Sequence, residues 1–392
     1  MKIKPIVLGL ASLLLLSNLA FANTEAHTIN PEHIVNETIK QLMLKDHIPG
    51  VAVDIYVNGR AHSYYYGYRN LSHKSKVDNR TLFEIGSLTK LFTSLLLAVE
   101  INQNNMQLND PISKYLPALQ NSQAPAASIT LEQLATHTSG LPLRSPLPQS
   151  DLFNINTVAT LHQYLLNWQP PAPLGTQWQY SNFGMGVLGM SIEDKVGWPY
   201  PELVKKYIFK PLTIKDAGIN VPNWYFNYAQ GYANGVAVPH WKLPMFPAGG
   251  AIEASPRDME HFLSAALELP GTPLSLVVAM KQTQTPYVQT SVMQQGLGWE
   301  IYPFSPHDAR FAEQAADKIM GPLKATQLSA SQAQFNGNLF MQKTGATNGF
   351  RSFIAVVPNT KTGIVILANS YFNDGDIVNA GRSIMAQLIQ LN

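Results

Sequence analysis

From Pro31 onward the apolar residues Ile34, Val35, Ile39, Leu42 and Met43 return at the spacing of one helical face. Asn30 offers a side-chain cap and Pro31 suits the first helical position, so the pattern predicts an amphipathic first helix. The period then shortens to two. Gly50 to Val57 alternates as a strand does, Asn58-Gly59 is a strong two-residue hairpin signal, and Ala61 to Tyr66 returns as the partner. Near the other terminus Ser352 to Val357 and Ile364 to Leu367 form a second predicted hairpin across Pro358 to Gly363, and Ile377 to Leu391 reads as a closing helix. Between these ends, stretches rich in Leu, Ala and Pro carry the helical period, among them Leu88 to Val99 and Thr157 to Trp168. Strands at both termini with helices between them predict an α/β fold: an antiparallel sheet flanked by helices, built from both chain ends, with an inserted all-helical subdomain. The α/β part takes residues 23–85 and 240–392, and the helical part residues 86–239.

Residues 1–22 follow a different pattern, with Lys2 and Lys4, an apolar run from Ile6 to Leu16, and Ala20-Phe21-Ala22. This reads as a signal peptide cut after Ala22, which predicts an exported, periplasmic protein. The run is shorter than the roughly 20 apolar residues of a membrane span, so no membrane association is expected after cleavage. Cutting there removes two lysines and no acid, leaving 25 basic and 25 acidic residues. Lys205, Lys206 and Lys210 are spaced as a solvated helix face would be, and the absence of a basic stripe argues against nucleic acid as a partner. An exported chain with no cysteine has no disulfides and must hold together by its core, and its length favours two packed subdomains in a monomer. The ten histidines contain no pair at metal-binding spacing, so no metal or other cofactor is expected.

Three short motifs carry candidate chemistry. Ser87-Leu88-Thr89-Lys90 opens an apolar run of helical period, and the i to i+3 spacing places the serine hydroxyl and the lysine amine on one face of a helix start. Tyr180-Ser181-Asn182 places a phenol and an amide at the end of a loop, although Tyr-x-Asn also occurs at Tyr68, Tyr225, Tyr232 and Tyr371. Lys343-Thr344-Gly345 leads into a predicted strand, whereas its decoy Lys361-Thr362-Gly363 lies in the turn of the terminal hairpin, where such residues are ordinary. Lys343 and Thr344 suit a substrate carboxylate, and the amide N–H groups of Ala346 and Ser87 suit an oxyanion.

In the order Ser-x-x-Lys, Tyr-x-Asn, Lys-Thr-Gly, separated by 93 and 163 residues, these motifs resemble those of class C β-lactamases. The likeness continues through Pro49 to Val53, Leu82 to Ser87, Leu134 to Leu143, Gln295 to Glu300 and Lys343 to Phe350, covering nearly the whole mature chain. By this resemblance the site lies between the α/β part and the helical part and takes a small-molecule β-lactam as its partner. Ser87 is then the nucleophile, Lys90 its base partner, and Tyr180 the group that manages protons in ring opening and deacylation. Asn182 binds the acylamide side chain, and Lys343 with Asn373 binds the carboxylate. Which of Lys90 and Tyr180 takes the proton in acylation stays open.

There are departures from the family pattern. Arg144 stands in place of a common glutamine near the amide side-chain pocket, Ala248 to Ala251 in place of a tyrosine-bearing loop, and Arg351 in place of a small residue. The segments around His137 and Ala248 look more like D,D-peptidases and esterases on the same fold. Either of those activities, or a penicillin-binding receptor that is acylated without turnover, is therefore the alternative; deacylation separates the last from the enzymes.

Overall fold

The computed structural model describes residues 30–144, 157–222, 225–243, 246–305 and 320–391; the proposed leader lies outside them. Asn30 caps helix α1 (Pro31–Asp46) as the sequence predicts, its Oδ1 accepting the N–H of Glu32 at 3.0 Å. Strand β1 (Gly50–Val57) turns through Asn58 and Gly59 into β2 (Arg60–Asn70). Both turn residues are left-handed, with φ of 50° and 76°, the backbone a two-residue hairpin turn needs.

Eight residues of β1 are buried in succession, because both faces of the strand are covered. Val51, Val53, Ile55 and Val57 enter one core, while Ala52 and Tyr56 enter the other. The sequence alternation thus assigns residues to two cores rather than separating core from solvent.

Among the described residues, none from 86 to 239 adds a strand to the main sheet. They supply α2 (Thr89–Asn102), Leu131–Ala135, Thr157–Asn167, α3 (Asn182–Val196) and Tyr200–Val204. The insert is helix-rich without being wholly helical, since the short strands Gln177–Trp178, Gly218–Ile219, Gly231–Ala233 and Val236–Val238 also fall within it. Every residue of α2 from Thr89 to Glu100 is buried, which makes it the central helix of the larger core.

The chain then returns to the sheet side with α4 (Pro256–Ala266), whose start carries a capping box between Ser255 and Asp258. Three strands close the fold: β3 (Phe340–Ala346), β4 (Arg351–Val357) and β5 (Thr362–Ala368). In the ten-stranded antiparallel sheet the order runs from Thr326–Gln327 through Val288–Gln289, Gln294–Gln295 and Glu300–Tyr302 to β3, β4, β5, β1, β2 and Ser75–Lys76. Pairing of β5 with β1 joins the two chain ends, with Val53 opposite Ile366. The last helix, α5 (Asp374–Ile389), packs with α1 on one face of the sheet, and α4 packs on the other. Among the described residues no helix is long and apolar enough to cross a membrane.

One buried group makes the stability of this sheet depend on pH. Asp54 is 1% exposed in the middle of β1. Burial raises its carboxyl from 3.8 to about 7; the Ser63 hydroxyl lowers it in part and the Glu260 carboxylate raises it further. With the folded value above the unfolded one, the fold binds the extra proton and is stabilised by it at low pH. That contribution is lost as pH rises through about 7. Asp54→Asn is expected to gain on the order of 2 to 4 kcal/mol at pH 8, shrinking towards zero near pH 4. Denaturant midpoints of the two proteins at both pH values check it, and an equal gain at both would show that the carboxyl does not titrate with folding.

Candidate active site

The short strand Phe83–Glu84 pairs with Ile252–Ala254 and delivers the chain into a tight turn, Gly86–Leu88, that feeds directly into α2. Every residue from Thr81 to Glu100 is buried except Ser87. A serine that alone reaches the surface of a buried segment is presented there by the backbone around it. Gly86 has a φ of 51°, and a Cβ on it would come within 2.7 Å of the Ala346 nitrogen. A Cβ on Gly345 would collide with the Ile85 carbonyl and Ser352 Oγ. The Ser352 hydroxyl donates to that same Ile85 carbonyl at 2.8 Å. Gly345 is therefore required by the seating of the serine turn on β3 rather than by an approaching substrate alone.

Lys90 is fully buried one helical turn after Ser87. Its ammonium donates to Ser87 Oγ at 3.0 Å, Asn182 Oδ1 at 2.7 Å and the Gly249 carbonyl at 2.6 Å. Asn182 is the first residue of α3, capped by Ser181, whose Oγ accepts the N–H of Gly184 at 2.7 Å. Tyr180 sits just before this cap, 7% exposed. The ammonium groups of Lys90 and Lys343 each lie 5.0 Å from its ring centre. Burial alone would raise the phenol. The charges of Lys343 and then Lys90 outweigh it, helped by Ser87, and bring the hydroxyl down from 10.0 to about 8.

Lys343 is itself buried, and burial works against its charge. The Tyr180 and Glu300 oxygens more than compensate and hold its ammonium above the ordinary lysine value. Glu300 Oε1 lies 3.5 Å from Lys343 Nζ. The side-chain amide of Gln342 donates to Glu300 at 3.0 Å and its oxygen accepts from Arg382 at 2.9 Å. Pairing with Glu300–Tyr302 covers β3 only as far as Gln342, whereas β4 continues to Ala346 on the other side. From Lys343 to Ala346 the strand edge towards the cavity is thus unpaired.

One cavity of about 590 Å³ is lined by Ser87, Arg144, Tyr180, Asn182, Lys343, Thr344, Ala346 and Asn373. The sequence predicted all eight for the site, and Lys90 lies beneath them. Arg144 is an exposed wall residue, and Asn373 caps α5 through its Oδ1, which accepts the Gly375 N–H at 2.8 Å. The decoy Lys361 stands apart. It is left-handed, with a φ of 50°, and its ammonium donates to the Leu267 carbonyl at 2.9 Å.

A sequence model of the β-lactamase family matches residues 35–388. The chain belongs to the β-lactamase family. A β-lactamase of Yersinia enterocolitica is 32% identical over 374 residues, which is 94% of each chain. Among solved structures, a class C β-lactamase in complex with cefoxitin is similar at a TM-score of 0.82 and 30% identity, covering 91% of this chain and 98% of that one. A β-lactamase/D-alanine carboxypeptidase from Pseudomonas syringae is similar at a TM-score of 0.82 and 27% identity, covering 90% and 98%.

Within this β-lactamase fold the cavity has walls that the motifs did not identify: Asn234, Trp241, Glu300 and Arg351. Arg351, which the sequence marks as a departure, is 4% exposed and pinned on several sides. Its Nε donates to the Phe372 carbonyl at 2.9 Å and lies 2.5 Å from Asp374 Oδ1. Its second nitrogen donates to the Thr347 and Phe350 carbonyls at 3.1 and 2.9 Å. The arginine therefore ties the turn after β3 to the segment carrying Asn373. Short motifs do not reveal it, because the link it makes to Phe372 and Asp374 joins segments more than 20 residues apart.

The serine turn yields its own test. Gly86→Ala places a side chain at positive φ and against Ala346, so it is expected to lower stability by about 1 to 3 kcal/mol and to cut activity by more than tenfold. Thermal melts and steady-state rates check both. Parental activity in a folded Gly86→Ala protein would show that the turn tolerates the shift.

Proposed function

We propose that the protein is a serine β-lactamase of the class C type, exported to the periplasm, that hydrolyses the β-lactam amide through an acyl-enzyme on Ser87. The observation that carries this reading is the one partly exposed serine of a buried segment, with Lys90 at 3.0 Å and the Tyr180 phenol beside two ammonium groups. An ammonium has three N–H donors, and acceptors for three stand around Lys90. This favours Lys90 as a charged donor that orients Ser87 and Asn182, and leaves Tyr180 as the base.

In acylation Tyr180 takes the Ser87 proton as Oγ bonds to the lactam carbonyl carbon. The ring C–N bond then breaks, and the proton passes to the leaving nitrogen. The N–H groups of Ser87 and Ala346 donate to the developing oxyanion. Lys343 and Thr344 hold the substrate carboxylate with Asn373, whose free amide hydrogens suit that contact, while the Asn182 amide binds the acylamide oxygen and Arg144 lines its side chain. In deacylation Tyr180 draws a proton from water as the water oxygen bonds to the ester carbon; the ester C–O bond then breaks and Tyr180 returns the proton to Ser87 Oγ.

A D,D-carboxypeptidase is the second reading, favoured by the D-alanine carboxypeptidase description of a structural neighbour. Both readings share the acyl-enzyme. Turnover of a chromogenic cephalosporin compared with release of D-alanine from a D-alanyl-D-alanine peptide separates them, with the cephalosporin expected to be the faster substrate. Ser87→Ala is expected to abolish turnover and the mass increase after incubation with penicillin. A mass increase in that variant would remove the central claim.

The two Lys-Thr-Gly motifs and the phenol supply a further expectation. Lys343→Ala should lose a charge-assisted contact worth about 1.5 to 3 kcal/mol, one to two decades in kcat/KM, whereas Lys361→Ala should lose almost nothing. The base works unprotonated, so kcat/KM of the parent should rise with pH through about 8. Lys343→Ala removes the largest charge lowering that value, and the rise should move to higher pH. Profiles for the parent and both variants check this; equal losses at the two lysines, or an unmoved rise, would count against it.

A further inference from the structure

The helix Leu131–Ala135 ends in a motif that normally calls for glycine. The N–H of Thr138 reaches the Gln133 carbonyl at 2.8 Å and that of His137 reaches the Leu134 carbonyl at 3.3 Å, with His137 left-handed at a φ of 60°. Helix termination alone gives no reason for a histidine at this position, where glycine carries no Cβ penalty.

The imidazole, 1% exposed, is engaged with the segment that carries Tyr180. The His137 carbonyl accepts the N–H of Gln179 at 2.8 Å, and its Nδ1 accepts the N–H of Ser181 at 3.3 Å. Its ring lies against the Tyr180 ring with centres 4.5 Å apart and planes 43° apart. The residues on both sides of Tyr180 are therefore bonded to one residue, whose ring also packs on the phenol. We propose that His137 is the positioning residue for Tyr180, holding the phenol between Lys90 and Lys343 by this two-sided clamp.

An Nδ1 that accepts a hydrogen bond requires a neutral ring with its proton on Nε2. The surroundings enforce that state: burial first, then the charges of Lys90 and Lys343, push the imidazolium well below 6.5. The charged and polar groups facing Tyr180 are Ser87 and Lys90 from the serine turn and α2, and Lys343 from β3; Glu300 acts through Lys343. A neutral clamp adds no third positive charge to this set.

The inference rests on Tyr180 being the base, and the test separates the two claims. His137→Gly keeps the left-handed backbone while removing the ring and the acceptor. His137→Asn also tolerates that backbone and returns an oxygen near the position of Nδ1. In His137→Gly, kcat/KM is expected to fall about tenfold and its rise with pH to shift upward by half a unit or more. His137→Asn is expected to recover most of the rate and the parental position of the rise, with both variants melting below the parent. Tyrosine ring resonances, assigned with Tyr180→Phe, report the phenol's titration independently of turnover. A folded His137→Gly protein with an unmoved phenol titration, or an Asn variant no better than Gly, would overturn the clamp. Full turnover in Tyr180→Phe would overturn the base reading instead, whatever the phenol's titration shows.

Discussion

The rest of the site depends on how closely the Ser87 turn sits against the end of β3. Two glycines make the approach possible: Gly86 by its left-handed backbone and the space its missing side chain leaves for Ala346, and Gly345 by leaving room for the Ile85 carbonyl. The Ser352 hydroxyl then locks the contact by donating to Ile85. One consequence is that the two main-chain N–H groups suited to an oxyanion, those of Ser87 and Ala346, come from elements far apart in sequence and are held by the packing of backbone on backbone. Another is that β3 cannot shift without moving the serine.

Around that contact the electrostatics form a balanced set rather than a pair. Two buried ammonium groups would be costly unless partnered. Lys90 has an amide oxygen, a carbonyl and the serine hydroxyl; Lys343 has Glu300 and the tyrosine. Gln342 and Arg382 extend the support to Glu300. Tyr180 is lowered because it offers the place where negative charge best compensates both lysines, and Lys343 is raised for the reciprocal reason. His137 stays neutral in the same field. The environment that makes a phenol usable as a base thus follows from partner satisfaction in a buried cluster.

Arg351 forms one wall of the cavity beside this centre. A buried guanidinium occupies the cavity side of β4, with its charge met by Asp374 and its other donors by main-chain carbonyls. Tyr371 stacks on it at 4.0 Å. The cavity wall beside Asn373 is therefore bordered by a fixed ion pair, and Asn373 caps the helix whose first residue, Asp374, belongs to that pair.

The sequence alone determined the local elements: the capped first helix, the Asn58-Gly59 hairpin, the strand pair at the C-terminal end, and the helix that begins just after Ser87. Each follows from hydrophobic period and turn chemistry, which act between near neighbours. It also supplied the order of the three motifs and, with the family resemblance they carry, eight residues that line one cavity, and it set Lys361 aside as a turn residue. Tertiary structure decided the rest. It buried β1 on both faces, gave Gly345 its packing role, made Lys90 a donor to three acceptors, and brought Glu300, Arg351 and His137 to the site. These residues act through partners distant in the chain, many of them main-chain atoms with no side-chain identity for a motif to record. Their roles become visible only when folding sets carbonyls, ammonium groups and rings at contact distance.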